Sequence, residues 1–390
     1  MSTDSSVRNV AAKSGHNAWL DVVRGLAILG VIFIHSSTWA NYIMQFNHQR
    51  IGPTIMAFAH SGEGGVELFF FISGWLLASI YGDPNQPLKR SYWYRRIGRI
   101  VPLWGLFLGL TYLRYRLNWG GSWSTLIQVP SNEPALLHSP WIIVLLTMTF
   151  TLWLSPTMWN TAIGGGWSIQ SEVGHYLVFP MLRKHSLNRI LIALTTVNAI
   201  TFGLFAYFRD RGTRTGALNY VVDSWYRLGI FGTIGFFIIG LIAFRVYRDM
   251  SAGASIVDAV KSLKISPLVA IFYSISFFAM PLSHGGVLSA LGYVVCLIAM
   301  SFGLYQIPFA KKFLSAVGKY SYFMYFCHFF VLDAIVYLAE KTKLFGPAVI
   351  NQFLVFAAVY VVAVLVSFAL AIPSYKFFEK PIMKLARRFE

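Results

Sequence analysis

Long apolar runs separated by short polar or basic segments recur along the whole chain, at about 20–42, 53–81, 99–117, 166–182, 187–207, 226–246, 266–281, 287–305, 320–339 and 349–372. A helix rises about 1.5 Å per residue, so roughly 20 apolar residues are needed to cross about 30 Å of hydrocarbon. These runs therefore predict about ten transmembrane helices. A further stretch, Trp141–Leu154, has only 14 residues, the length of a re-entrant or interfacial segment. The fold class read from the pattern is an all-α integral membrane protein with that additional short piece.

Composition agrees: 56% of the 390 residues are hydrophobic and 12% are charged, which excludes an ordinary soluble domain. The net charge of +17 raises the question of a polyanionic partner. The Lys and Arg residues, however, fall in short clusters between apolar runs, where they act as topology signals, so no nucleic-acid partner is expected.

Placing Lys89, Arg90, Arg95, Arg96 and Arg99 inside, with 141–154 non-spanning, also brings inside Arg183, Lys184 and Arg189, then Arg245, Arg248, Lys261 and Lys264, then Lys311, Lys312 and Lys319, and finally the C-terminal cluster from Lys376 to Arg388. Counting 141–154 as a span would put the last four clusters on the wrong side. The loop 209–225, with Arg209, Arg211 and Arg214, is the exception and comes out external. The expected organisation is a cytoplasmic tail at 1–18, a transmembrane domain at 19–375 and a basic cytoplasmic tail at 376–390, in the cell (inner) membrane with both termini cytoplasmic. The first 18 residues lack the charged-then-apolar pattern of a cleavable signal. Cys296 and Cys327 show neither metal-ligand spacing nor a disulfide framework, and no metal is expected.

Ionisable side chains inside spans are costly and mark candidate sites. Arg24 and His35 lie eleven residues apart on the first span, about three turns on one face, with His35 about 16 Å deeper. Glu67, with Glu63, sits beside glycines at the edge of the second span. Arg95, Arg96 and Arg99 offer fixed guanidinium donors suited to phosphate, or simple anchors to the inner face. Ser168, Glu172 and His175 form one helical stripe after Trp167, and Ser321, Tyr325 and His328 form another. Trp119, Trp123, Trp141, Trp153 and Trp159 suit sugar stacking or an interfacial belt. Such stripes fit an interior catalytic site. They fit equally a multi-pass transporter of a lipid-linked sugar or small solute.

Taken in order, these segments resemble the acyltransferase-3 family of membrane acyltransferases. The matching features are Arg24 with His35, then Gly65-Val-Glu-Leu-Phe-Phe-Phe-Ile-Ser-Gly-Trp75, then Arg95-Arg-x-x-Arg99 with Pro102. They continue with Trp167-Ser-x-x-x-Glu172, Ser321-Tyr-x-x-Tyr-x-x-His328, and Glu379-Lys-Pro381. His175, Trp75 and Glu67 depart from the residues common at those positions. The resemblance implies about ten helices and transfer of an acyl group, usually acetyl from acetyl-CoA, to a hydroxyl of an envelope or exported glycan or a small molecule. It resembles the stand-alone form, without an extracytoplasmic esterase-like domain.

On that reading Arg95, Arg96, Arg99 and Arg24 would hold the CoA phosphates, and His35 would act as base or transient acyl carrier. Arg24, Glu172 or Glu67 would orient the imidazole or stabilise developing charge. His328 and Tyr325 would hold the acceptor or supply a second base, and Trp167 and Ser168 would line the substrate site. A glycan or other hydroxyl acceptor and membrane lipids are the expected partners.

Overall fold

The computed structural model describes residues 18–46, 48–117, 139–154, 163–210, 229–278, 286–342 and 351–388, which contain helices and no strand. In chain order these are α1 (Ala18–Gln45), α2 (Pro53–Ala59), α3 (Gly64–Tyr81), α4 (Ser91–Arg116), α5 (Pro140–Met148), α6 (Gly166–Leu182), α7 (Leu187–Asp210), α8 (Ile230–Ser251), α9 (Ile256–Ser262), α10 (Pro267–Phe278), α11 (Gly286–Gln306), α12 (Pro308–Thr342), α13 (Gln352–Ser374) and α14 (Lys380–Arg387). Trp119, Trp123, Trp159, Arg211, Arg214 and nearly all of the N-terminal tail lie outside the described residues.

Helix boundaries follow local chemistry. Pro53 and Pro140 open α2 and α5, where their missing N–H costs nothing. The Asn351 side chain accepts from the amides of Phe353 and Leu354 at the start of α13, and Ser255 accepts from the Asp258 amide at the start of α9, each satisfying an otherwise orphaned donor.

Among the described residues five segments are long and apolar enough to cross a membrane: Ala18–Gln45, Pro53–Tyr81, Ile230–Ser251, Pro308–Thr342 and Gln352–Arg387. Leu187–Ile200, Pro267–Phe277 and Leu291–Gln306 are apolar but shorter. The remaining two expected spans are helical, as α4 and α6. Arginines at positions 95, 96, 99, 114 and 116 dilute the apolar character of α4, and α6 has 17 residues. Trp141–Leu154 resolves into the nine-residue α5 and a single 3-10 turn, too short to span at about 1.5 Å per residue. Residues 380–387, read from sequence as tail, form an amphipathic helix beside α4, where Gly98 meets the Ala386 methyl.

The chain divides into two compact units. The first comprises residues 1–20, 67–88 and 167–292. Its α3 and α8 touch through glycines: a Cβ on Gly74 would strike the Phe237 carbonyl and one on Gly240 the Phe71 carbonyl. Nearby, the buried His175 stacks on Phe237 at 5.0 Å and meets the Thr233 hydroxyl at 3.2 Å. This is the setting of a core histidine. Asn188 bridges to the Lys264 carbonyl at 2.9 Å and the Ser266 amide at 2.8 Å, fixing α7 to the start of α10.

The second unit comprises residues 21–66, 89–166 and 293–390. Here α1 and α12 approach backbone to backbone. A Cβ on Gly25 would collide with the Leu314 carbonyl, and one on Gly318 with the Asp21 carbonyl. This reciprocal pattern sets the two helices parallel with Gly25 level with Gly318. Val22, Leu26 and Leu314 pack around the contact. Small residues at such a crossing permit the close packing that holds membrane helices together. Replacing Gly318 by Leu is therefore expected to lower the thermal unfolding midpoint in detergent, since overpacking costs about 1–3 kcal/mol. Gly303→Ala, where an added Cβ meets nothing within 4 Å, is expected to leave the midpoint equal or higher.

Candidate active site

In the second unit the register set at Gly25 and Gly318 carries upward. Ten residues on from each lie His35 and His328, about 15 Å further along their helices. Their rings meet with centroids 5.4 Å apart. Phe329 lies against both, 4.7 Å from His35 and 4.0 Å from His328. His35 is partly exposed, whereas His328 is fully buried. The His328 Nδ1 lies 3.0 Å from the Met324 carbonyl. A carbonyl only accepts, so Nδ1 carries the proton and Nε2 presents a lone pair. That Nε2 has no hydrogen-bond partner among the described residues.

Tyr325 and Ser321 are buried on the same helix. The Tyr325 hydroxyl donates to the Gly165 carbonyl at 3.1 Å. Gly165 adopts a φ of 68°, and a Cβ there would press on Phe329 and the Tyr325 hydroxyl. Glycine thus allows the 163–166 turn to close over the aromatic floor of the histidine pair.

One turn beyond the histidines is a network absent from the sequence reading. The Trp39 indole donates to Asp333 Oδ1 at 2.8 Å, and Arg114 forms an ion pair with Oδ2 of the same carboxylate. Asp333 therefore ties α1, α4 and α12 together beside His35 and His328. Its signal was an acidic residue inside an apolar run, which by the cost of burying charge marks a site.

The other sequence candidates in this unit lie elsewhere. Arg24 is about three turns from His35 along α1 and pairs with Asp21 at 3.0 Å. Arg95 is exposed, Arg96 lies over the Tyr92 ring at 5.5 Å, and Arg99 lies over Tyr322 at 5.4 Å. The fork of arginines on α4 is thus partly held against aromatic faces, with Arg95 at the surface.

In the first unit Glu172 Oε1 accepts from the Ser73 hydroxyl at 3.1 Å and from the Tyr176 hydroxyl. Trp167 lies 6.5 Å from Phe70, Ser168 is buried, and Glu67 is half-buried at the start of the same α3 that carries Ser73. Ser73 and Tyr176 join the expected Glu172, whereas His175 turns to Thr233 and is drawn into packing.

The family model described as an acyltransferase domain, acyltransferase-3, matches residues 17–372. The chain belongs to the acyltransferase-3 family. His35, His328, Arg114 and Asp333 all lie within the matched range, while Glu379-Lys-Pro381 falls beyond it. Curated relatives include the O-acetyltransferase OatA of Staphylococcus aureus strain NCTC 8325 / PS 47, 22% identical over 382 residues. The OatA of strain COL matches to the same extent. The match covers 94% of this chain and 57% of each relative, so the chain spans little more than half their length. No solved structure matches.

Removing one partner of a buried ion pair strands the other, at a cost of about 3–5 kcal/mol. Asp333→Ala should accordingly destabilise this acyltransferase-3 chain severely in detergent unfolding. The double variant Arg114→Met/Asp333→Leu should recover part of the loss, because no charge is then left unpaired.

Proposed function

We propose that this protein is a membrane O-acyltransferase that moves an acetyl group from acetyl-CoA to a hydroxyl of an envelope or exported glycan. The observation that carries this reading is the His35–His328 pair, with an imidazole lone pair in a buried aromatic setting, in a chain of the acyltransferase-3 family. The relatives named O-acetyltransferase support acetyl as the group transferred.

Neutral imidazole is the side chain suited to take a proton from an alcohol near neutral pH. In the proposed reaction the acceptor hydroxyl attacks the thioester carbonyl. Its proton passes to an imidazole, the new ester C–O bond forms, the C–S bond breaks, and the thiolate recovers the proton to leave as CoA. His35, partly exposed, is the imidazole that meets the substrates. His328 backs it, and the Asp333–Trp39 bond holds α1 and α12 at the separation that keeps the rings together. A two-step route through acyl-His35 uses the same groups.

Arg95, with Arg96, Arg99 and Arg24, is assigned to the phosphates of CoA from a cytoplasmic face of the cell membrane, because guanidinium forks match phosphate oxygens. The Glu172, Ser73 and Tyr176 cluster with Trp167 offers the mixture of polar and aromatic groups that binds sugar hydroxyls and faces; Glu67 is a second carboxylate for that task. Tyr325 serves as part of the aromatic floor, since its hydroxyl is engaged by Gly165.

Radiolabel transfer from acetyl-CoA in membranes, together with the acetyl content of surface glycan, tests the proposal. His35→Ala should lower transfer by about 10²- to 10⁴-fold, the range removed with a general base, while the protein unfolds at an unchanged temperature. Full transfer by a folded His35→Ala protein would refute the central role. Changing Arg95, Arg96 and Arg99 together to Lys should raise the KM for acetyl-CoA at least tenfold if the guanidinium geometry binds phosphate; an unchanged KM would make them topology anchors only.

A further inference from the structure

A cavity of about 260 Å³ opens within the first unit, where the ends of α3 and α6, the start of α7 and the last turns of α8 converge. Its walls are apolar, built by Phe179, Leu187, Ile190, Ile238, Leu241 and Phe244, and its lip carries Ile80, 54% exposed. Along α8 the lining residues descend one face from Ile238 and Leu241 to Arg245 and Arg248, apolar within the helix and cationic at its end.

Three guanidinium groups and one carboxylate, that of Asp83, line this space. They are not equally engaged. Arg183, 4% exposed, donates through Nη2 to the carbonyls of Asp83 and, at 2.6 Å, Gln86. Its buried Nε has no hydrogen-bond partner among the described residues. The Asp83 carboxylate accepts from the Asn85 amide at 2.9 Å. Arg248 pairs with Asp249 at 2.9 Å, and Asp249 is also held by the Ser262 hydroxyl at 2.6 Å. Arg245, half-buried, forms no hydrogen bond or close ion pair among the described residues; Arg248 adds like charge beside it, and Asp249, already held by Arg248 and Ser262, offsets that charge from a distance. A half-buried cation with a second cation nearby is stabilised by an anion placed between them.

We propose that this cavity binds the headgroup of an acidic glycerophospholipid, its phosphate on Arg245 and Arg248 and its glycerol and first methylenes on the apolar walls. A free phosphate would use the arginines and gain nothing from the walls, and a zwitterionic lipid would bring a cation against the same arginines. The cavity also sits at the end of a helix long and apolar enough to cross a membrane, the depth at which phospholipid phosphates lie. Its volume accommodates a headgroup while the acyl chains run past Ile80 along the outer surface.

The test uses delipidated full-length protein in detergent, with the thermal unfolding midpoint and native mass spectrometry read in parallel. Phosphatidylglycerol, phosphatidylcholine, inorganic phosphate and CoA are added at matched concentrations. Phosphatidylglycerol is expected to raise the midpoint by several degrees and to bind at least tenfold more tightly than phosphatidylcholine, with phosphate and CoA giving no comparable shift. Arg245→Gln, which retains hydrogen-bonding capacity, should reduce phosphatidylglycerol to the level of phosphatidylcholine. Ile80→Trp, which crowds the lip from an exposed position, should weaken both lipids. Equal stabilisation by the two lipids, a match by phosphate or by CoA, or full phosphatidylglycerol preference in Arg245→Gln would overturn the proposal. Should Arg245→Gln not fold, a photoreactive phosphatidylglycerol on wild-type protein decides: labelling within residues 78–83 or 238–248 supports the site, and labelling confined elsewhere refutes it.

Discussion

The closest constraint in the second unit is the absence of side chains where α1 meets α12. Gly25 and Gly318 each lie against a carbonyl of the opposite helix at a distance no Cβ could occupy. Apolar burial cannot drive helices together in lipid, where the surroundings are as apolar as the helix; dispersion contacts and interhelical hydrogen bonds do so instead. The contact has a consequence beyond stability. Two parallel helices fixed at one level are fixed at every level, so the offset between Gly25 and Gly318 is also that between His35 and His328, and nearly that between Trp39 and Asp333. Backbone packing at one end thus becomes imidazole pairing about three turns away.

The polar part of the site is held by groups that serve it indirectly. Asp333 accepts from Trp39 and binds Arg114, so neither the charge nor the indole N–H is left unsatisfied, as burial in a low-dielectric interior requires. The Met324 carbonyl accepts a hydrogen bond from Nδ1–H of His328 and so leaves the other nitrogen as an acceptor. Gly165 admits the turn that caps the aromatic floor. On the proposed reading, these groups set tautomer, distance and enclosure before substrate arrives.

Helix content was legible in the sequence, and candidate residues on α1, α3, α4, α6 and α12 could be singled out, because helical periodicity and the cost of intramembrane charge act locally. The pairing of His35 with His328 depends on residues nearly 300 positions apart, and no local pattern announces it. Asp333 was visible as an acidic residue in an apolar run, but its partners Arg114 and Trp39 come from two other helices. His175 shows the reverse: it completes a polar stripe with Ser168 and Glu172 on paper, yet stacks on Phe237 and bonds Thr233 in the fold. Expected spans at α4 and α6 are helical but differ from the five long segments for separate reasons: arginines dilute the apolar character of α4, and α6 is only 17 residues long.

The central claim is that His35 and His328 act as one unit in acyl transfer. A double-mutant cycle on the rate of acetyl transfer, using His35→Ala, His328→Ala and the combined variant with folding checked for each, tests it most directly. Residues that act together are strongly non-additive. The account predicts a combined variant about as slow as the slower single variant, whereas losses that multiply would contradict it.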